Sequence, residues 1–319
     1  MPVPEIRAFS DADLDAAGEL LAERHRRHRA AEPLLPARYE DPAAAREEVQ
    51  ALWGSEGASG AVATRGGRVV AYVIGIRKAD DVWGANAWIE TAGHAAETPE
   101  DVRDAYAAAA TRWVDEGRTR QYAVVPAADA VLVDAWFRLG FGGQQATGVM
   151  DVPEVAGPAP AVRAATEADL EAVIELAPTI SDHQVLAPTF SGIPASYDET
   201  ELRSEVAASI ANADYALLLA EVDGRVVGGL DVYPVEISSL HEGLMRPDRS
   251  CYLGWAAVTP QARGSGAGVA LTNAGLAWAR AHGYTSMVTD WRMTNLLSSR
   301  FWPKRGFRTS FLRLYRSIP

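Results

Sequence analysis

Val258-Thr-Pro-Gln-Ala-Arg-Gly-Ser-Gly-Ala-Gly268 is the stretch on which the reading of the fold turns. It follows an apolar run, Cys251 to Val258, that reads as a strand. It precedes Val269 to His282, where Val269, Leu271, Leu276 and Trp278 give a helix one apolar face. Strand, glycine-rich turn and helix in that order gather backbone N–H groups and the positive end of a helix dipole at one point, which suits a phosphate. Gly264, Gly266 and Gly268 let the backbone approach such a ligand without Cβ clashes.

A P-loop would need Gly-Lys-Ser/Thr at the end of the turn, and no lysine is there. A dinucleotide fingerprint would need a third glycine where Val269 stands, and it normally opens a long βαβ unit rather than lying near a C-terminus. What remains, Arg263-Gly264-Ser265-Gly266-Ala267-Gly268 behind Val258-x-Pro260, resembles the pyrophosphate-binding motif Arg/Gln-x-x-Gly-x-Gly/Ala of the GCN5-related N-acetyltransferases (GNAT). The six residues alone are equally compatible with a plain tight turn.

The whole chain sets bounds on this reading. With 319 residues it is long for one core and suits two domains. Its 48% hydrophobic and 23% charged content is that of a globular protein. No apolar run is long enough to span a bilayer, and Met1-Pro-Val-Pro-Glu5 lacks the basic and apolar regions of a signal peptide, so a soluble cytoplasmic protein is expected. A net charge of −12 argues against nucleic acid or an anionic membrane as the main partner. Cys251, the sole cysteine, permits no internal disulfide and reads as a small buried apolar residue rather than a nucleophile.

An internal repeat organises the rest. Ile6-Arg-Ala-Phe-Ser-Asp-Ala-Asp-Leu-Asp-Ala16 matches Val162-Arg-Ala-Ala-Thr-Glu-Ala-Asp-Leu-Glu-Ala172 at an offset of 156. In each, a short strand runs into a helix with Ser10 or Thr166 as N-cap and Asp13 or Asp169 closing a capping box. Gly67-Arg-Val-Val-Ala71 matches Gly224-Arg-Val-Val-Gly228 at an offset of 157, a hairpin turn between apolar runs. Trp136-Phe-Arg-Leu-Gly-Phe141 matches Trp302-Pro-Lys-Arg-Gly-Phe307 at an offset of 166. The matches define two homologous domains, 1–150 and 161–319, joined by a proline-stiffened linker over 151–160. The growing offset places extra residues in the second copy, best assigned to the polar stretch Ser238 to Ser250 at a pocket mouth or as a solvated loop.

Within each copy the pattern predicts strand, helix, a further helical region, a hairpin, a strand, helix, strand, helix and final strand. In the second copy these fall near 167–176 and 198–211 for helices, 215–222, 226–234 and 251–258 for strands, then helix 266–282, strand 285–290, helix 295–305 and strand 309–315. That order resembles the acetyltransferase fold over its full length. It implies an α/β (α+β) protein of two tandem GNAT-like domains, each a central mixed, mostly antiparallel sheet flanked by helices.

The resemblance implies acetyl-CoA as donor, with its thioester and pantetheine along the backbone of Ala256, Ala257 and Val258 and its pyrophosphate on Arg263, Gly264, Ser265, Gly266, Ala267 and Gly268. The family's second signature, Asn-x-x-Ala-x-x-Phe-Tyr-x-x-x-Gly-Phe, is matched by Asn295 through Ser298, Phe301 and Trp302 to Gly306-Phe307, which makes Asn295 the partner of the pantetheine arm. Trp302 stands where a tyrosine often protonates the leaving thiolate, and an indole N–H cannot serve as that acid. Trp302 is left to pack on the cofactor or donate a hydrogen bond. For a general base the strand 251–258 offers no Asp, Glu or His, so the candidates are Asp290, Glu236, and His241 with Glu242. Asp182-His183 and the basic run Arg24 to Arg29 carry no metal-ligand spacing, no metal is expected, and the arginines read as a charged helical face.

In the first copy a strand from Ala85 to Thr91 leads into Ala92 to Asp101, where Glu97, Glu100, Asp101 and Pro99 occupy the place of the glycine turn. Those acids would repel a pyrophosphate, so the first copy is expected to bind no coenzyme A and to support the second or wall its substrate cleft. The reading is a tandem N-acetyltransferase that transfers an acetyl group directly to an amine of a small molecule or peptide, as a monomer or homodimer. A non-catalytic acyl-CoA sensor or interaction module is the alternative, motivated by the missing tyrosine and the absent strand carboxylate.

Overall fold

The computed structural model describes residues 3–154, 162–191, 198–238 and 241–319; most of the expected linker, from residue 155 onward, lies outside the described residues. The chain divides into two compact units. The first is Met1–Thr147 with Gly243–Arg246 and Thr309–Pro319, and the second is Gly148–Glu242 with Pro247–Arg308.

The first unit contains β1 (Glu5–Ala8), α1 (Leu14–Ala31), α2 (Pro42–Trp53), β2 (Ser59–Arg65), β3 (Arg68–Gly75), α3 (Asp80–Trp83), β4 (Asn86–Ile89), β5 (His94–Ala96), α4 (Pro99–Asp115), β6 (Arg120–Pro126), α5 (Ala130–Arg138) and most of β7 (Gly142–Asp151). One of its sheets runs β1-β2-β3-β5. β3 is buried along almost its whole length because both faces are covered. Tyr72 and Ile74 join a core with Leu21 of α1 and Val49 of α2, and the alternate residues Ala71 and Val73 join a second core with Val102 and Trp113 of α4.

The second unit contains β8 (Val162–Ala164), α6 (Leu170–Leu176), α7 (Thr179–Gln184), α8 (Glu199–Ala211), β9 (Ala216–Val222), β10 (Arg225–Pro234), β11 (Ser250–Tyr252), β12 (Ala256–Val258), α9 (Ala267–Ala281), β13 (Ser286–Arg292) and α10 (Ser298–Lys304). β8, β9 and β10 are antiparallel neighbours, and β11 lies parallel to β13. The repeat recurs at backbone level. Both capping boxes form, Ser10 with Asp13 and Thr166 with Asp169. Both hairpins turn through two residues of positive φ, Gly66-Gly67 at 58° and 78° and Asp223-Gly224 at 51° and 72°, the backbone twist that a two-residue hairpin loop requires.

Two local expectations are revised. The final strand, β14 (Arg308–Ser317), pairs antiparallel with β6 from Phe311↔Pro126 to Ser317↔Arg120, and its buried Phe311 and Leu314 belong to the cores of the first unit, where Thr309–Pro319 is grouped. Gly243–Arg246, from the stretch read as a pocket mouth or solvated loop, also belongs to the first unit because Leu244 is buried in its core. Ala92 to Asp101, the place of the glycine turn in the first copy, contains β5 and the start of α4.

Candidate functional site

The second unit's sheet parts at one place. β10 carries β11 at Tyr233↔Tyr252 and Pro234↔Cys251, and carries β12 at Leu230↔Ala256, Gly229↔Ala257 and Gly228↔Val258. β13 follows β11 from Ser250↔Ser286 to Tyr252↔Val288, and Leu253 N donates to Val288 O at 2.9 Å. Past Leu253 no further pairing with β13 is formed among the described residues, so β12 is held from one side. Asp231 N donates to Trp255 O and Thr259 N to Val227 O, each at 2.9 Å, which sets the register. Alternation then turns the N–H of Ala257 toward β10 and those of Ala256 and Val258 into the gap.

The gap widens into a cavity of about 480 Å³ lined by β12, the turn after it, α9, α10, Asn295 and Thr179, Ile180 and His183 of α7. Gly264 and Gly266 hold φ of 86° and 91°, values that favour glycine, and a Cβ at either would meet nothing within 4 Å. Backbone conformation rather than crowding therefore demands glycine there. Gly266 is also the N-cap of α9, whose first-turn amides have no helical acceptor of their own. Arg263 lines the same cavity and is exposed. One face thus offers free amides, a helix N-terminus and a cation.

Between β11 and β12 the chain breaks at Leu253 to Trp255. Asp231 closes the break: its Oδ1 accepts the N–H of Gly254 at 3.0 Å and of Trp255 at 2.7 Å, and its Oδ2 accepts the Tyr215 hydroxyl at 2.6 Å. Burial pushes this carboxyl up to about 6 against the pull of those donors. Burial also pushes the Cys251 thiol up to about 12, so it is inert as a nucleophile at neutral pH.

Of the residues singled out in the sequence, Ala256, Ala257, Val258, Arg263, Gly264, Gly266, Ala267, Gly268, Asn295 and Trp302 converge on this cavity. Ser265 is not among its lining residues; its hydroxyl accepts the Ala267 N–H at 3.3 Å. Asn295 Oδ1 accepts from Leu297 N at 3.0 Å and Ser298 N at 3.3 Å, and lies 3.3 Å from His183 Nε2. Trp302 is buried between Phe301 and Phe307. Asp290 and Glu236 do not line the cavity. Asp290 accepts the Tyr252 hydroxyl at 2.7 Å, and Glu236 is exposed in the turn after β10. The sequence singled out neither α7 as a helix nor Asp231, which looks like any polar residue of an alternating strand and, like Asp290 and Glu236, is not among the cavity's lining residues but sits at the adjoining strand break. Among the described residues no group of three or more His, Cys, Asp or Glu could hold a metal ion.

The first unit repeats the parted strands and then fills the gap. β5 pairs with β3 while β4 pairs with β6. His94, in the register of Ala256, reaches across with its Nε2 3.0 Å from Val124 O on β6. Buried Arg24 donates to the carbonyls of His94 and, at 2.6 Å, Thr91. Only Glu97 and Thr98 separate β5 from α4, whereas Thr259 to Gly266 separate β12 from α9. The start of α4 is already neutralised by Asp101, which is buried and paired with Arg65.

Residues 183–307 match the acetyltransferase (GNAT) family. Over that segment the chain is similar to the GNAT superfamily. Its architecture is likewise similar to a GCN5-related N-acetyltransferase from Sphaerobacter thermophilus, with a TM-score of 0.58 at 14% identity over 98% of this chain and 95% of that one. A GCN5-related glucosamine N-acetyltransferase region in a fungal multi-domain β-N-acetylglucosaminidase aligns with a TM-score of 0.54 at 16% identity, over 99% of this chain and 38% of that one. A tandem GNAT protein from the clavulanic acid biosynthesis pathway aligns at 0.48 with 13% identity over 99% of each chain. At such identities the first two likenesses speak to the fold alone. No curated protein matches the sequence. The family is one of acyl-CoA-dependent N-acetyltransferases, and no helix of the described residues is long and apolar enough to cross a membrane.

Proposed function

We propose that this protein binds acetyl-CoA in its second unit alone and transfers the acetyl group directly to the amine of a small molecule or peptide. The observation that carries the reading is the alignment, along one cavity, of the gap-facing amides of Ala256 and Val258 with the Arg263–Gly268 turn and the N-terminus of α9. The amides suit the carbonyls of a pantetheine arm and its thioester, and polarising the thioester carbonyl helps the attack. The turn, the helix end and Arg263 suit a pyrophosphate. Asn295 adds a polar group beside the arm. Direct transfer is favoured because the only thiol, Cys251, is buried with a raised pKa.

The plugged gap and missing turn of the first unit support an absence of donor binding there. Trp302 serves in packing, since an indole does not titrate. That same residue favours the second reading, an acyl-CoA sensor without turnover. Thiol release from acetyl-CoA across a panel of primary amines separates the two: turnover with any amine supports the enzyme, and tight binding with no release above the rate in buffer supports the sensor.

A further inference from the structure

Asp231 occupies an unusual electrostatic position. Its partners among the described residues are the Tyr215 hydroxyl and the amides of Gly254 and Trp255, all neutral, and no ion pair holds it. Among the described residues, the rings that face it carry no positive charge. Tyr233 stacks on Tyr215 with ring centroids 4.7 Å apart and meets Tyr252 edge-on at 5.4 Å, and Tyr252 donates to a second carboxylate, Asp290. Asp231 and Tyr233 are only half-buried, and Gly254 beside them is exposed. A Cβ at Gly254 would come within 2.6 Å of the Tyr233 hydroxyl and 3.0 Å of Asp231 Oδ1, so glycine here keeps the carboxylate and phenol against the strand break. Partly removing a carboxylate from water without a cation beside it is costly, and such carboxylates cluster at functional sites. The break leads directly into Ala256, whose amide faces the gap.

We propose that Asp231 receives the ammonium group of the acceptor and removes its proton. This rests on the donor site lying along β12. The ammonium gives one proton to the carboxylate. The freed nitrogen lone pair forms a bond to the thioester carbonyl carbon, and the carbon–sulfur bond breaks with its electrons on sulfur. The second proton lost by nitrogen goes to that sulfur, which leaves amide and coenzyme A thiol. Tyr215 is a positioning residue: it steadies the ionised carboxylate through Oδ2 while Oδ1 holds the break. With the Asp231 carboxyl at about 6, the base is ionised at neutral pH and still basic enough to act.

The test uses the full chain, ethanolamine as the probe amine, and water as the acceptor in its absence. Acetyl-CoA affinity is measured beside thiol release from pH 5 to 9. For Asp231→Asn, which keeps an oxygen for the Gly254 and Trp255 amides, donor affinity should stay within about twofold. Its kcat/KM should fall about a hundredfold or more, and the acid limb near pH 6 should vanish. Tyr215→Phe leaves the break intact and should move that limb to higher pH, which keeps the test open if the Asn variant fails to fold. Wild-type rate and limb in Asp231→Asn, or an unmoved limb in Tyr215→Phe, would overturn the proposal. So would a wild type that binds acetyl-CoA yet releases thiol to neither acceptor. A wild type that binds no acetyl-CoA would instead reject the donor site.

Discussion

Asp169 accepts both terminal nitrogens of Arg163, at 2.8 Å each. The same carboxylate accepts the Thr166 amide and hydroxyl, so one buried side chain ties β8 to the start of the helix that follows. Arg163, then burial opposing it, then Thr166 act on this carboxyl, and it is held far below its usual range. A depressed carboxyl adds stability that is present above its unfolded pKa of about 3.9 and is lost as pH falls below it. Asp169→Ala should therefore lower unfolding free energy at pH 7 by about 1–2 kcal/mol in chemical denaturation, and the difference should shrink below about pH 4.

Three buried histidines contribute to the acid sensitivity of the first unit. Burial holds His25 at about 4 and His28 at about 3, and lowers His94 well below its ordinary value. Each is neutral in the fold and charged when unfolded, so the unfolded state binds more protons from about pH 6.5 downward. The thermal midpoint should fall steadily between about pH 6.5 and 4, and His28→Gln should flatten the slope.

Arg24 supplies two buried carbonyls, those of Thr91 and His94, with their donor. Arg24→Met should strand both and cost about 3 kcal/mol in denaturant unfolding.

Arg263 is the only charged side chain on the Val258–Gly268 turn. Arg263→Ala should raise the Kd for acetyl-CoA about tenfold, and the wild-type advantage should shrink as salt is raised.

Where local chemistry decides structure, the sequence was legible. The capping boxes at Ser10 and Thr166, the hairpin turns at Gly67 and Gly224 and the helix after Gly266 follow from short-range rules, and all are present. What escaped it depends on distant partners. That β14 pairs with β6 cannot be read from the alternation of its own residues. Asp231 takes its character from Tyr215 and from a strand break more than twenty residues further on. His94 is unremarkable in sequence until the register sets it opposite Val124.

One titration goes to the centre of this assignment: calorimetry of acetyl-CoA into the full chain and into Gly266→Asp, which sets a carboxylate where the pyrophosphate would lie. The expected result is one site per chain in the wild type and none in the variant. Two sites per chain, or affinity preserved in Gly266→Asp, would contradict it.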